Sequence, residues 1–212
     1  NVGRLAAENE RLYRELARLM SENNSLEEYR SECERLRKLL QFKGDAPYET
    51  VAARIVARDP TNWLSTFVID KGSRHGIAKN MVVIAPEGLV GRVASVTKNT
   101  ASVWPIVDPQ SAVGGIVQRS RVLVLVEGLA GETGLCFLKA LTPDADIQVG
   151  DEIISSGYGG IFPKGFLIGR VQEVRKGRYG ISKIGLVRPA VDLTRLEEVL
   201  VIRRALERDG DG

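Results

Sequence analysis

The first forty residues place apolar side chains at steps of three and four, which is the spacing of one face of an α-helix. The apolar positions are Val2, Leu5, Leu12, Leu16, Leu19, Leu26, Tyr29, Cys33, Leu36 and Leu40. No proline interrupts the segment, and most other positions are Glu, Arg, Asn or Ala, which a solvated helix accommodates well. A single helix cannot bury so narrow an apolar stripe. The pattern therefore predicts a coiled-coil helix over residues 1–43.

Two asparagines in the stripe indicate how the helices pair. Asn9 and Asn23 occupy a-type positions of the heptad, where a buried amide accepts only a partner that can hydrogen-bond it. This favours a parallel, in-register homodimer, although a helix packed on its own globular domain with both asparagines in water is the alternative. The expected pairing residues are Leu5, Asn9, Leu12, Leu16, Leu19, Asn23 and Leu26. Two successive steps of three after Asn23 form a stammer, so the seam beyond Leu26 is expected to splay or to lie on the body.

Beyond residue 40 the composition changes. Residues 41–47 (Gln-Phe-Lys-Gly-Asp-Ala-Pro) form a helix-breaking segment, and every glycine except Gly3 and all eight prolines follow residue 40. Between them lie about a dozen short runs rich in Val and Ile, which are typical of β-strands. The pattern predicts a mainly β protein with one long N-terminal α-helix. Short strands at this spacing favour small barrels or sandwiches over a βαβ fold.

Two stretches of the β region resemble each other. The segment Pro86 to Val93 (Pro-Glu-Gly-Leu-Val-Gly-Arg-Val) recurs as Pro163 to Val171 with one extra residue, and Ile77 to Ile84 parallels Ile147 to Ile154. Each pair is typical of a hairpin whose second strand bends at Gly-Arg, as a small barrel requires. We therefore expect two small β-barrel domains, with chance similarity between glycine-rich hairpins as the alternative. The expected ranges are 44–113 for the first barrel, 114–205 for the second and 206–212 for a disordered tail.

The last strand, residues 198–203, has two possible places. It can close the second barrel, as the ranges above assume, or return to the first. The local pattern does not distinguish them, because pairing partners of a strand lie far away in the sequence.

Charge and ligand-forming residues narrow the function. The net charge is +3, with basic and acidic residues interspersed, so no nucleic-acid surface is indicated. One histidine and two cysteines are too few for a metal site or a disulfide framework, and no cofactor is predicted. Cys33 lies on the helix seam, where we expect it to act as a small buried apolar residue; a cross-link to its copy in an oxidising compartment is the alternative. No apolar run approaches eighteen residues, and because the chain opens in mid-helix we expect a membrane anchor upstream.

Tandem small barrels also occur in chymotrypsin-like serine proteases, which need His, Asp and Ser side chains. This chain has Asp70 and His75 in the expected first barrel, and Ser155 and Ser156 in the second. The Gly-Asp-Ser-Gly-Gly nucleophile turn is absent, since Asp151 stands five residues before Ser156. We therefore expect no catalytic residues. A second alternative is a periplasmic adaptor of a transport or secretion complex, which also joins a coiled coil to β domains but usually as a helical hairpin inserted in them.

Four motifs stand in a distinctive order. They are Asp70-Lys-Gly-Ser with Gly76-Ile; Gly88-Leu-Val-Gly-Arg-Val; Val149-Gly-Asp with Ser156-Gly-Tyr-Gly-Gly-Ile-Phe-Pro-Lys-Gly-Phe; and a Val-Leu-Val-Ile strand at 199–202. The series resembles the extracytoplasmic part of the rod-shape-determining MreC family, and the resemblance covers Ala7 to Ile202. Its most specific piece is Ser156 to Gly165. Ser155 stands where the family commonly has threonine, a change that keeps the hydroxyl.

The resemblance implies a non-enzymatic scaffold of the bacterial cell-elongation machinery, which organises peptidoglycan synthases and maintains rod shape. It also implies a single-pass membrane protein whose β domains face the periplasm or cell wall. The implied partners are a penicillin-binding transpeptidase, RodA, MreD and the MreB system, besides a second copy of the chain. Strand edges at the barrel ends are an expected route for growth into filaments.

A glycine-rich loop in the second β domain is the candidate partner-binding site. Its residues are Ser156, Gly157, Tyr158, Gly159, Gly160, Ile161 and Phe162. Three large apolar groups among three glycines favour an exposed contact surface. The alternative is that Tyr158 and Phe162 fold back and plug the end of the barrel.

Overall fold

The computed structural model describes residues 2–45, 47–62, 64–131 and 133–205. It contains one long α-helix and twelve β-strands. The chain divides into two compact units, residues 1–41 and residues 42–212. The tail expected to be disordered, residues 206–212, lies outside the described residues.

Helix α1 runs from Val2 to Asp45 and includes most of the segment expected to break it. It ends at Asp45, two residues before Pro47, and a proline shortly after the end of a helix is common because proline cannot continue it. The pairing residues share one exposed stripe: Leu12, Leu16 and Leu19 keep half or more of their surface accessible. Their exposure shows that a single chain leaves the stripe uncovered.

The strands match the twelve that the sequence predicts, with ends shifted by a few residues. Their bounds are β1 Tyr48–Arg58, β2 Phe67–Ile69, β3 Val82–Ala85, β4 Gly88–Val96, β5 Ala101–Pro105, β6 Ala112–Val117, β7 Leu123–Gly128, β8 Cys136–Ala140, β9 Glu152–Ser155, β10 Leu167–Lys176, β11 Lys183–Pro189 and β12 Glu198–Ala205. They form two closed antiparallel barrels of six strands each. A long helix followed by two small barrels is confirmed.

The first barrel is closed by the last strand of the chain. Its order is β1-β12-β3-β4-β5-β2, and β12 pairs with β1 (Val51 opposite Val201) and with β3 (Ile84 opposite Leu200). The range 114–205 for the second barrel is therefore wrong at both ends, since β12 belongs to the first barrel and β6 begins at Ala112. The strand is held there by its long pairing with β1, which a local sequence pattern cannot reveal.

The second barrel has the same arrangement of strands as the first, but its sixth strand comes from a different place in the sequence. Its order is β10-β11-β8-β7-β6-β9. Strands β7 to β11 stand in the places that β1 to β5 occupy in the first barrel, and β6 stands in the place of β12. The two barrels are thus circularly permuted copies in topology. The first borrows its sixth strand from the end of the chain, whereas the second takes it from its own beginning.

The repeated Gly-Arg motif lies at equivalent bends of the two rings. A side chain at Gly91 on β4 would collide with the Trp104 carbonyl, and one at Gly169 on β10 would collide with the Arg188 carbonyl. In both barrels the ladder shifts register beside the motif. Glycine is required here because the neighbouring strand approaches too closely for a Cβ atom, which is how a sheet bends into a narrow barrel.

Close backbone contacts join the barrels. Gly88 lies against the Leu167 carbonyl of the second barrel, and Gly128 lies against the Asp108 carbonyl of the segment that connects them. The rings of Tyr48 and Phe166, one from each side, stand with centroids 5.5 Å apart. Together with the returning β12, these contacts make residues 42–212 one compact unit.

Both barrels bury large apolar side chains. Those fully buried include Phe67, Ile69, Ile84, Leu89 and Leu200 in the first barrel, and Leu138, Ile153 and Ile168 in the second. Leu200 is fully buried although it comes from the last strand. A substitution at Leu200 therefore tests how strongly the end of the chain stabilises the first barrel.

We predict that Leu200→Ala lowers the free energy of unfolding of the first barrel by about 2–5 kcal/mol, since it removes a fully buried side chain from the closing strand. The measurement is urea unfolding followed by Trp104 fluorescence in a Trp63→Phe background, where Trp104 on β5 is the sole tryptophan. Val56→Ala, at an exposed position of β1, is the matched control and should change stability by less than about 0.5 kcal/mol. An unchanged Trp104 transition in Leu200→Ala would contradict the closing role of β12.

Candidate functional site

The glycine-rich loop leaves the second barrel directly after β9 and returns at β10, and its base is closed by hydrogen bonds. The Ser155 hydroxyl donates to the Pro163 carbonyl and accepts from the Phe166 amide at 2.9 Å. The Ser155 amide donates to the Phe166 carbonyl at 2.7 Å. Both Ser155 and Ser156 are buried. The loop is therefore a firmly anchored projection from the barrel rather than a loose connection.

Three glycines give the loop its path. Gly157, Gly159 and Gly160 all have positive φ values, of 79°, 96° and 76°. Nothing lies within 4 Å of a Cβ atom built at Gly159 or Gly160. The requirement for glycine at these two positions is thus conformational, since residues with side chains seldom adopt left-handed backbone.

The large apolar side chains of the loop point in different directions. Phe162 is 6% exposed, whereas Tyr158 is 69% exposed and Ile161 is 38% exposed. The plug interpretation therefore describes Phe162 alone. Tyr158 and Ile161 remain on the surface, and their role as partner contacts remains a prediction.

A second apolar surface lies on the outside of the same barrel, which we call the outer apolar face. It consists of Leu123 and Leu125 on β7, Phe137 on β8, and Ile184 and Leu186 on β11. The residues between them, such as Val124, Val126, Leu138 and Val187, are buried inside the barrel. Successive side chains of a strand point to opposite faces, so the five half-buried apolar residues point outward.

Register brings the outer apolar face together. Leu125 pairs with Lys139 and Lys139 with Ile184, while Phe137 pairs with Leu186 in the adjacent row. Directly opposed residues of neighbouring strands have Cβ atoms about 5 Å apart. Phe137 and Leu186 are therefore adjacent, whereas Lys139 separates Leu125 from Ile184 in the neighbouring row.

The loop borders the outer apolar face through β6. Gly114 on β6 pairs with Leu125, and a Cβ atom built at Gly114 would lie 2.8 Å from the Ser156 hydroxyl and 3.5 Å from the Tyr158 carbonyl oxygen. The missing side chain at Gly114 thus lets the loop approach the sheet. Tyr158 and the outer apolar face belong to one side of the barrel.

Charged residues surround this apolar surface. Lys139 is exposed in the row of Leu125 and Ile184, which ends at Arg175 on β10. Glu127 and Glu173 end the row of Phe137 and Leu186. An apolar centre with a rim of both charges is the composition of a specific protein–protein interface.

The start of β9, just before the loop, is held by an arginine clamp. The Arg119 guanidinium donates to both carboxylates of Asp146 and Asp151 at 2.7–3.0 Å. Asp151 also accepts the Gln148 amide at 2.9 Å, as expected for a turn aspartate. The hydrogen bonds from Arg119 lower the pKa of both carboxyl groups, so each ion pair persists through neutral pH.

The residues of the protease alternative are committed to other contacts. His75 lies in a 3₁₀ turn of the first barrel, where Nδ1 accepts the Gly72 amide at 3.1 Å. Asp70 accepts the Arg54 amide, and the Ser155 hydroxyl is held in the loop base of the second barrel. The structure therefore does not assemble these side chains into a triad.

The described residues contain no group of three or more His, Cys, Asp or Glu side chains placed to hold a metal ion. No helix among them combines the length and the apolar character needed to span a bilayer. Cys33 is exposed, whereas Cys136 is buried, and burial raises the pKa of the Cys136 thiol to about 12.

Comparison with known proteins identifies the family. The family model described as "Rod shape-determining protein MreC, barrel core" matches residues 55–203. The chain belongs to the MreC family. The cell shape-determining protein MreC of Listeria monocytogenes is 30% identical over 204 residues, which are 94% of this chain and 69% of that protein. MreC is thus the family both of the barrels and of the helix that precedes them.

Solved MreC structures share the fold. The structure of Listeria monocytogenes MreC is 30% identical and has a TM-score of 0.69, covering 93% of this chain and 96% of that chain. A complex between Penicillin-Binding Protein (PBP2) and MreC from Helicobacter pylori matches with a TM-score of 0.57, covering 74% of this chain and 100% of the other. At 14% identity the second likeness shows the fold alone. The helix-and-two-barrel architecture is therefore that of MreC.

Sequence reasoning found the loop but missed the outer apolar face. Its signal is the absence of alternation: Leu123, Val124, Leu125 and Val126 are all apolar, as are Phe137 and its neighbours. A strand with one face in solvent alternates between apolar and polar residues. A continuous apolar run instead indicates that both faces of the strand are buried against other groups. These runs thus indicate that the outward faces of β7 and β8 are apolar as well as their inward faces.

We predict that Phe162→Ala and Tyr158→Ala have opposite consequences. Phe162→Ala should lower the free energy of unfolding by about 3–5 kcal/mol, because it empties a buried aromatic site. Tyr158→Ala should change stability by less than about 0.5 kcal/mol, because its side chain is exposed. Thermal and urea unfolding measure both. Equal losses of stability would contradict the division of the loop into a buried and an exposed part.

Proposed function

We propose that this chain is a non-enzymatic scaffold of the bacterial cell-elongation machinery, which pairs through α1 and presents its barrels in duplicate to a penicillin-binding transpeptidase. The observation that carries the proposal is the pair of apolar surfaces left uncovered in a single chain. One is the helix stripe, and the other is the outer apolar face with the adjoining loop. Membership in a cell shape-determining family agrees with both.

Pairing of α1 follows from its seam. Leu5, Leu12, Leu16 and Leu19 are all exposed, and they follow one another at heptad spacing with Asn9 between them. Two parallel helices in register would bury these leucines and let the asparagines hydrogen-bond each other. The helix has 44 residues, so at about 1.5 Å per residue it is a spacer of roughly 65 Å.

Duplicate display strengthens weak contacts. Two copies of one binding surface on a common stem turn the second binding event into an intramolecular one, which raises the apparent affinity without new contacts. A scaffold therefore needs only a modest apolar surface on each barrel unit. The outer apolar face with Tyr158 and Ile161 is of this kind.

The proposed partner is a penicillin-binding transpeptidase. The Helicobacter pylori protein of the same fold forms a complex with Penicillin-Binding Protein (PBP2). By the motif resemblance, RodA, MreD and the MreB system are further members of the assembly, and the barrels act on the extracytoplasmic face of the inner membrane. Binding of a protein partner to an apolar patch with a mixed rim needs no catalytic residue.

Filament growth along strand edges remains a prediction. Each described strand pairs with two neighbours, but some pairings are short: β12 runs from Glu198 to Ala205 and pairs with β3 only at Leu200 and Val201. Strand ends beyond such short pairings are where edge-to-edge growth would begin.

We predict a mass of two chains, twice 23.2 kDa, by light scattering over a concentration series. Leu12→Gln with Leu19→Gln should give one chain, because both leucines lie on the seam and glutamine preserves helix propensity. Arg11→Gln with Arg14→Gln, on the opposite side of α1, is the matched control and should leave the pair intact. A single-chain mass at every concentration would refute the pairing, and a larger mass in the control as well would indicate association through the barrels.

We predict that Phe137→Gln with Ile184→Gln weakens binding to the purified extracytoplasmic part of the penicillin-binding transpeptidase from the same organism by at least about tenfold. Calorimetry measures the Kd. The matched control is Val68→Gln, a half-buried residue on β2, the strand that takes the place of β8 in the first barrel. Binding that is equal in all three proteins would reject the outer apolar face while leaving the partner itself intact.

A further inference from the structure

The apolar stripe of α1 is wider than a two-stranded seam requires. Ala6, Tyr13 and Met20 follow the a-type positions by four residues and occupy the e-type positions of the heptad. Tyr13 is 69% exposed and Met20 is 61% exposed. In a pair of parallel helices the a and d positions face the partner, whereas the e positions flank the seam. A second copy therefore leaves Tyr13 and Met20 largely uncovered.

The opposite flank of the seam is acidic. The g-type positions are Glu8, Glu15 and Glu22. In a parallel, in-register pair each g residue stands beside the e residue five positions later on the other chain. Glu8 then stands beside Tyr13, and Glu15 beside Met20. Neither Glu8 nor Glu15 can form an ion pair across the seam with these neighbours, so pairing of two helices does not stabilise the glutamates.

These residues outline an apolar groove with acidic rims on each side of the paired helices. Tyr13, Met20 and the small Ala17 form its floor, Glu8 and Glu15 of the other chain form one rim, and Glu10 forms the other. Glu10 and Glu15 do contact Arg14 and Arg18 of their own helix, but at 3.5 and 3.7 Å and with all four side chains exposed. Exposed pairs of this kind are weak, so both carboxylates remain open to a competing cation.

Three apolar positions per heptad are typical of a helix that faces more than one neighbour in a bundle. We propose that this groove docks a basic amphipathic helix of another protein, and the proposal rests on the self-pairing of α1 proposed above. The acidic rims select the occupant. A second pair of these chains would bring the same glutamates into contact with each other, whereas a helix with Lys or Arg beside its apolar stripe would neutralise them.

The test uses the full chain and a synthetic 18-residue peptide of leucine and lysine, with leucines at steps of three and four. Fluorescence anisotropy measures its Kd, and a leucine–glutamate peptide of the same pattern is the control probe. We expect Tyr13→Gln with Met20→Gln to weaken binding of the lysine peptide by about tenfold, because the apolar floor is lost. Light scattering should still give a mass of two chains for this variant. Arg4→Gln with Arg11→Gln, outside the groove, should bind as the unaltered chain does.

Each other outcome overturns the proposal in an identifiable way. Unchanged Kd in the Tyr13 and Met20 variant, or equal binding of the glutamate peptide, rejects the groove while pairing stands. A mass of four chains that falls to two in that variant shows that the occupant is a second pair. A single-chain mass for the unaltered protein removes the self-pairing and the groove with it.

Discussion

Closure of the first barrel by the last strand is the constraint on which residues 42–212 depend. β12 separates β1 from β3, so five strands of that barrel have no complete ring until the chain has built the second barrel and returned. Leu200 and Ile202 then join a core started more than a hundred residues earlier. Such long-range closure costs loop entropy, and it is offset by burial and by a full ladder on both sides. The two barrels are consequently linked by two chain crossings and not by a single flexible connection.

With both rings closed, the outer surfaces of the barrels are where we expect partner contacts. The rings have the same topology, yet their outsides differ. On the first barrel the Trp104 ring is covered by the Arg92 guanidinium, 4.8 Å from its centroid. On the second barrel Phe137 and Leu186 adjoin each other, with Glu127 and Glu173 at the ends of their row and Lys139 in the middle of the next. The second barrel is therefore the one that we propose to carry the partner surface.

Local patterns in the sequence were sufficient for the elements and insufficient for their closure. The heptads of α1, the twelve strands and the Gly-Arg bends all depend on spacing over a few residues, and the structure contains them. The place of β12 depends on pairing with β1, some 150 residues away, which no local pattern encodes. Burial of Phe162 beside exposed Tyr158 depends on how Ser155 anchors the loop. The outer apolar face was visible in the runs of β7 and β8, but only as broken alternation, which has no meaning until the inner face is known.

The two surfaces that we propose for pairing and for binding differ in chemistry. In the proposed pair, the seam of α1 would be closed by identical leucines and asparagines and would exclude partners that cannot match them. The outer apolar face of the second barrel instead carries Lys139 and Arg175 in one row and Glu127 and Glu173 in the next. Charges of both signs in a fixed order favour a surface that places opposite charges against them. In this proposal pairing sets the number of copies, and the barrel surface sets the identity of the partner.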